Sequence, residues 1–106
     1  MRIWIVAAAA VVATGAAAQS MKSMNTAMEL GGMLASEEPC GLAYDHAAIE
    51  RYIEQHVPAD DMGFASTLSL MTAGQAVQIE DMSPSAKAAH CAQIRRVARA
   101  NGFIGG

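Results

Sequence analysis

The sequence predicts an all-α fold: a small bundle of three to four short helices held together by one disulfide. Three observations predict it. Apolar residues recur at helical spacing from residue 42 onward, segment 83–102 carries helix-start and helix-stop signals, and two cysteines lie far apart. The 106 residues suffice for one small domain and exclude a multidomain enzyme. The formal net charge of −3 has the wrong sign for a nucleic-acid binder.

The first predicted helix lies between Cys40 and Pro58. Its inward face follows steps of three and four residues and comprises Leu42, His46, Ile49, Ile53 and Val57. Pro58 ends the helix, because a proline disfavours helical geometry in the residue before it. Glu50, Arg51 and Glu54 lie largely on the other side and form a solvated face.

The second predicted helix begins at Asp60 or Asp61, where a carboxylate can accept hydrogen bonds from unpaired backbone amides. Gly74 is expected to end it in a left-handed conformation. Its buried stripe comprises Phe64, Leu68 and Met71. Most of the remaining side chains of this helix are small, which allows a neighbouring helix to approach closely. Segment 75–81 is predicted to be a connector or a further short helix.

The third predicted helix has the clearest boundaries. Ser83 is its N-cap, Pro84 occupies the first helical position, and Asn101 with Gly102 forms the end signal. Phe103 is placed to pack back on the last turn. Over the three helices, the predicted core comprises Leu42, Ile49, Ile53, Phe64, Leu68, Met71, Cys91, Ile94 and Val97.

Residues 1–18 have the pattern of an export signal. Arg2 supplies a positive start, residues 3–13 form an unbroken apolar run, and a small-x-small alanine triplet ends at Ala18. The alternative is an uncleaved membrane anchor, but the apolar segment is shorter than the roughly 20 residues that a span needs. We therefore expect cleavage after Ala18 and a periplasmic or secreted protein.

Cys40 and Cys91 are the only cysteines, and an even count in an exported chain predicts one disulfide. Such a bridge would stabilise a small domain by roughly 4 kcal/mol in the chain-entropy model. The alternatives are a redox pair, which normally needs a CxxC motif that is absent, or a thiolate metal site. His90 is the only potential extra ligand beside either cysteine, and sequence neighbours point in different directions on a helix.

Residues 19–39 are predicted to be a mobile leader that precedes the helical domain of residues 40–104, because they are rich in small and polar residues. Within this leader, Met21, Met24 and Met28 follow helical spacing. Thioethers suit Cu(I), so these methionines are weak metal candidates. Alternatively, they fill an amphipathic turn that packs on the domain or on a partner.

No motif for catalysis or cofactor binding is present in the sequence, so neither an enzyme nor a cofactor is expected. His46 and His56 would lie about 15 Å apart on one helix and could not share one ion. Arg95, Arg96 and Arg99 form a basic cluster near the end of the third helix. The helix dipole accounts for this cluster, and a site for an acidic partner is the alternative.

Three stretches carry a resemblance to known proteins: EEPCGLAYDHAAIERYIEQHV, FASTLSLM and KAAHCAQIRRVARANGFI. They resemble small uncharacterised exported helical proteins of Gram-negative bacteria over about residues 40–104, which implies an architecture but no activity. The layout of signal peptide, short helices and one long-range disulfide is also similar to that of HdeA-type periplasmic acid-stress chaperones.

Two main classes of function follow. In the first, the protein is an interaction module that presents a helical face to another envelope protein. In the second, it is an acid-stress chaperone that takes up protons at low pH and exposes its interior while the disulfide tethers the chain. Copper binding through the methionine segment is a third possibility. Binding to nucleic acid and a membrane span after signal cleavage are not expected.

Overall fold

The structure is a computed structural model and describes residues 21–105. Over these residues it contains four helices and no strand, which confirms the all-α prediction. We label them α1 for the described helical residues 21–36, α2 for His46–His56, α3 for Phe64–Glu80 and α4 for Pro84–Ala100. The predicted export signal lies outside the described residues. Between residues 21 and 105, no helix has the length and apolar composition needed to cross a membrane.

Helix α1 contributes to the core. The prediction that residues 19–39 are a mobile leader outside the helical domain is therefore wrong for residues 21–36. Ala27, Leu30 and Met33 are buried in the main apolar cluster, and Leu30 is only 1% exposed. Their spacing of three residues places them on one side of a helix. The glycine pair Gly31-Gly32, which belongs to the predicted mobile leader, lies inside the helix.

The glycines of α1 allow a close approach between α1 and α3. A Cβ atom added at Gly31 would lie 3.0 Å from the Cβ of Met71 and 3.2 Å from the backbone nitrogen of Thr72. Earlier in α1, the Ser23 hydroxyl donates a hydrogen bond of 2.7 Å to the Asp61 carboxylate just before α3. These contacts advance in the same order along both segments, so α1 and α3 run parallel.

Helix α2 is confirmed between Cys40 and Pro58, but it begins later than predicted. Asp45 is its N-cap, and its carboxylate accepts from the Ala47 backbone N–H at 3.0 Å. His46 is exposed, so the prediction that it lies on the inward face is wrong. The buried position is Ala48. The chain reaches α2 through a turn at Gly41, whose φ of +66° suits a residue without a side chain.

Helix α3 differs from the prediction at both ends. It begins at Phe64 after the N-cap Gly63, so no side chain caps it, and the Asp61 carboxylate accepts from Ser23 of α1 instead. Gly74 does not end α3, and neither a connector nor a separate short helix follows, because the same helix continues to Glu80. The continuation buries Ile79, which explains why the helix extends beyond the glycine.

Helix α4 has the predicted boundaries. The Ser83 hydroxyl accepts from the Ala86 backbone N–H at 3.2 Å, and the helix ends at Asn101 with Gly102 in a left-handed conformation at φ +75°. Phe103 is buried, and its backbone N–H donates to the Ala98 carbonyl at 2.8 Å. The prediction that Phe103 packs back on the last turn is therefore confirmed.

The disulfide between Cys40 and Cys91 is present, with a Cα–Cα distance of 5.3 Å. It joins the α1–α2 connection to the middle of α4. Three of the predicted core residues are buried, and these are Phe64, Cys91 and Ile94. The other six are half-buried and pack against the core: Leu42, Ile49, Ile53, Leu68, Met71 and Val97. The core also contains residues that the sequence prediction omitted: Ala27, Leu30, Met33, Tyr44, Ala48, Ala98 and Phe103.

Candidate functional site

Three methionines form an exposed apolar row along α1. Met21, Met24 and Met28 are 66%, 49% and 46% exposed, although methionine is a residue that usually fills cores. The row flanks α3: the Met28 carbonyl accepts from the Gln75 side chain at 3.5 Å. The structure thus places all three candidates of the predicted leader on the outside of a helix whose other face is buried.

A depression of about 370 Å³ lies beside Met24 of this row. Met24 contributes to one wall of the depression, and the loop of residues 58–63 contributes to the other. Met62 belongs to that loop and is 87% exposed. We call Met21, Met24, Met28 and Met62 the methionine surface.

The chemistry of the methionine surface favours adaptable apolar contact. Methionine side chains have three rotatable bonds and a polarisable sulfur, so they adjust to partners of different shape. The depression has an acidic rim, formed by Asp60, which is exposed, and Asp61. An apolar segment flanked by positive charge complements such a surface.

The Cu(I) hypothesis stays a prediction, because it depends on the thioethers of Met21, Met24 and Met28 alone. In the part of the chain that the structure describes, no cluster of three or more histidine, cysteine, aspartate or glutamate side chains could hold a metal ion. His46 and His56 lie at opposite ends of α2, and both are exposed.

The arginine cluster of α4 is on the surface. Arg96 and Arg99 are exposed, and Arg95 is half-buried. Arg95 and Arg99 follow one edge of the helix one turn apart, whereas Arg96 lies about 100° around it. Arg96 donates to the neighbouring Gln93 side chain at 3.5 Å. Binding of an acidic partner at this cluster stays a prediction.

Ser36 and His90 form a contact that sequence reasoning missed. The His90 Nε2 atom lies 2.8 Å from the Ser36 hydroxyl oxygen, and the same hydroxyl donates to the Gly32 carbonyl at 2.6 Å. The Gly32 carbonyl can only accept, so the serine proton is directed to it, and the serine oxygen is placed to accept from the Nε2–H tautomer of His90. Ser36 is also completely buried. The pair therefore fastens α1 to α4 beside the disulfide.

Two tyrosines, Tyr44 in the core and Tyr52 packed against it, have raised pKa values. The Tyr44 hydroxyl donates to the Met33 carbonyl at 2.9 Å, and burial, with a smaller effect of the Glu37 charge, raises the pKa of Tyr44 to about 12. Burial also raises the pKa of Tyr52, with a smaller effect of Glu29. Neither phenol is suited to exchange a proton near neutral pH.

The outer side of α3 is a second exposed apolar feature. Leu70 and Val77 are 72% and 58% exposed, and residues 63–79 contain no charged side chain. Sequence reasoning did not assign a function to these residues or to Met62. The absence of charge over residues 63–79 was the signal that could have identified Leu70 and Val77.

In comparisons with known proteins, no family model, no curated protein and no solved structure matches this chain.

Proposed function

We propose that this protein is a small exported interaction module that binds another protein of the cell envelope through its methionine surface. The observation that carries this proposal is the exposure of Met21, Met24 and Met28 along α1, a helix whose opposite face is in the core, with Met24 at the wall of a depression. Apolar surface that folding leaves uncovered in this way is typical of binding sites for other proteins.

Two observations support export. Residues 1–18 have the pattern of a signal peptide, and the Cys40–Cys91 disulfide is of a kind that persists in oxidising compartments. The proposed location is the periplasm or the extracellular space.

The surface defines the partner by its chemistry. Met24 and Met28 suit an apolar side chain of the partner, and the nearby Asp60 suits a lysine or arginine beside it. We therefore propose that the partner presents an apolar segment flanked by basic residues.

Capture from an envelope extract of the source organism tests the proposal. The oxidised protein without residues 1–18 is immobilised beside a variant carrying Met24→Glu and Met28→Glu. Both changes are on exposed positions and place charge where the partner's apolar side chain would bind. A variant carrying Ala92→Glu, on the exposed side of α4, is the matched control.

We expect one defined protein on the unmodified chain and on the Ala92→Glu control, and its loss from the double methionine variant. The captured protein should bind again after purification and should contain a basic-flanked apolar segment. The proposal is wrong if no protein binds, or if the double variant retains the same protein at the same level.

A second candidate function, acid-stress chaperone activity, is favoured by the position of three carboxylates. Glu37 accepts from the Tyr44 backbone N–H at 2.8 Å, Asp45 caps α2, and Asp61 accepts from Ser23. Each of these bonds fastens a junction between helices or the start of one. If these junctions open in acid, the helices separate while the disulfide keeps the chain tethered.

Aggregation of an acid-sensitive client at pH 7 and at pH 2 tests this second candidate. We expect suppression at pH 2 together with loss of the near-ultraviolet circular dichroism signal and retention of the far-ultraviolet signal. An unchanged near-ultraviolet signal without client protection at pH 2 would exclude the chaperone.

A further inference from the structure

A recessed pocket of about 300 Å³ opens between α1, α2 and α4. Its inner wall belongs to the core, because Leu30 and Phe103 are 1% exposed and Met33 is 6% exposed. The other residues that line it are Glu29, Tyr52, Val97 and Asn101. The pocket therefore reaches from the surface into the main apolar cluster, and we call it the core pocket.

The core pocket has the size and lining of a small-molecule site. Such sites are typically about 300 Å³ or larger, and apolar and aromatic side chains form most of their walls. A cavity of about 150 Å³ already holds a benzene ring. The core pocket therefore has room for a ring with a short arm, and five of its seven lining residues are apolar or aromatic: Leu30, Met33, Tyr52, Val97 and Phe103.

The aromatic wall of the core pocket is held in place by its neighbours. The Tyr52 ring meets the Phe103 ring edge-on at a centroid distance of 5.8 Å, and it stacks on the His56 ring at 4.1 Å. Because these contacts fix the Tyr52 ring, a ligand meets a wall that is already formed and need not order it. Unfilled space beside core residues also costs packing contacts, which a bound apolar group would restore.

The polar groups at the mouth of the core pocket are suited to accept hydrogen bonds. Glu29 is an exposed carboxylate. The Asn101 side-chain nitrogen donates to the Val97 carbonyl at 3.1 Å, which leaves the side-chain oxygen as an acceptor. Burial raises the pKa of Tyr52 and the negative charge of Glu29 adds to this effect, so the carboxylate lies near the phenol. A positively charged donor complements this mouth.

The surrounding charges also favour a cation. Among the residues that line the core pocket, all in the described part of the chain, none is positively charged. Arg95 and Arg99 each lie two positions from Val97, which is about 200° around α4. The pocket adjoins the C-terminal end of α4, where the helix dipole favours positive charge.

We propose that the core pocket binds a small primary amine with an apolar body. The apolar body packs on Leu30, Met33 and Phe103, and the ammonium group donates to Glu29 and Asn101 at the mouth. A primary ammonium has three donors and no acceptor, which matches a mouth that offers acceptors. The core pocket shares no lining residue with the methionine surface, so this binding does not depend on a protein partner there.

Methyl nuclear magnetic resonance of the oxidised protein without residues 1–18, with labelled methionines, tests the proposal. Met33 lines the core pocket, whereas Met24 and Met62 belong to the methionine surface and serve as internal controls. The probes are 2-phenylethylamine, 2-phenylethanol and 3-phenylpropanoate. All three carry the same phenylethyl group, and at pH 7 the first is a cation, the second is neutral and the third is an anion.

Two matched substitutions examine the carboxylate at the mouth. Glu29→Gln removes its charge at an exposed position, and Glu80→Gln at the exposed end of α3 is the control. Val97→Phe places a larger side chain in the core pocket, and circular dichroism verifies the fold of each variant. Should Val97→Phe fail to fold, the two glutamine variants and the three probes still decide the proposal.

We expect 2-phenylethylamine to shift the Met33 signal with a dissociation constant of about a millimolar or below. It should bind at least about fivefold more tightly than the alcohol or the acid. Glu29→Gln should weaken binding of the amine by about three- to fivefold, as for the loss of an exposed ion pair, while Glu80→Gln leaves it unchanged. A folded Val97→Phe chain should not bind it.

Four results would overturn the proposal. A Met33 signal that stays in place at the highest soluble concentration of the amine would show that the core pocket does not bind it. Shifts of Met24 and Met62 alone would place the amine on the methionine surface. Equal affinity for the three probes would show that the pocket does not select an amine. Equal affinity of the Glu29→Gln and Glu80→Gln chains would exclude Glu29 as the group that holds the ammonium.

Discussion

At the scale of single residues, Tyr44 holds three parts of the chain together through its hydroxyl, its backbone and its ring. Its hydroxyl donates to Met33 of α1, its backbone N–H donates to the Glu37 carboxylate, and its ring lies 5.5 Å from that of Phe103. The residue therefore fastens the α1–α2 connection to both α1 and the chain end after α4. No periodic pattern predicted its role, because Tyr44 lies in the connection between α1 and α2 and not in a helix.

Replacing Tyr44 by phenylalanine is expected to lower the free energy of unfolding at pH 7 by about 1 kcal/mol, because the Met33 carbonyl loses its buried donor. The pH dependence follows from the raised pKa. The neutral phenol is favoured in the folded state, so its contribution is full below pH 10 and is lost as the pH rises toward about 12. Urea titrations from pH 8 to pH 12 measure both effects.

The Tyr44→Phe variant should lose stability less steeply between pH 10 and pH 12 than the unmodified chain. Tyr52→Phe is the matched control. We expect it to reduce the loss of stability between pH 10 and pH 12 by a smaller amount. An alkaline slope unchanged by Tyr44→Phe would show that the phenol does not keep its proton in the folded state.

At the scale of helices, prediction succeeded where the signals are local. Ser83, Pro84 and Gly102 define α4 through capping and backbone preferences of a few neighbouring residues, and the structure has the same boundaries. Pro58 similarly marks the end of α2, but the N-cap Asp45 was not predicted, and the helix begins only after the turn at Gly41.

Prediction failed where long-range contacts override local preference. Gly31 and Gly32 belong to the predicted mobile leader, but they lie in α1, where α3 packs against them. Gly74 reads as a helix end, but α3 continues because Ile79 is buried beyond it. The candidate site followed the same pattern: the methionines were recognised from their spacing, but their position beside α3 required the fold.

Gly31 allows a close helix contact, whereas Gly74 only weakens its own helix, and an alanine substitution at each position distinguishes these two roles. Gly31→Ala should lower the free energy of unfolding by about 1–3 kcal/mol, because the new Cβ would lie 3.0 Å from the Met71 Cβ. Gly74→Ala should raise the free energy of unfolding by about 0.5–1 kcal/mol. A Cβ atom added at Gly74 would meet no other part of the protein within 4 Å, and alanine favours a helix more than glycine does. Urea titration of dilute protein measures both changes.

Opposite signs for the two glycine substitutions would support close packing of α1 on α3. If Gly31→Ala were neutral or stabilising like Gly74→Ala, α1 would not approach α3 as closely as the structure has it.

At the scale of the whole molecule, the disulfide and α1 together compensate for the small size of the core. The Cys40–Cys91 bridge closes a loop with a sequence separation of 51 residues, and α1 adds Ala27, Leu30 and Met33 to the buried cluster. Small domains commonly need such a covalent link, because an apolar core of this size gives little net stability.

Replacing both cysteines by alanine is expected to lower the free energy of unfolding by about 4 kcal/mol, from the chain entropy of the closed loop. Urea titration of the oxidised protein and the double variant measures the difference. A loss below about 1 kcal/mol would show that the helices hold the fold without the bridge.

The central claim is that the protein binds its partner through the methionine surface. The methyl groups of these methionines report binding directly. The most direct measurement is a methyl nuclear magnetic resonance spectrum of the oxidised protein with labelled methionines, recorded as the captured partner is added. Met33 is the internal control, because it is buried in the core. We predict that the signals of Met24, Met28 and Met62 shift or broaden while that of Met33 stays in place. Unchanged signals of these three exposed methionines at saturating partner would contradict binding through this surface.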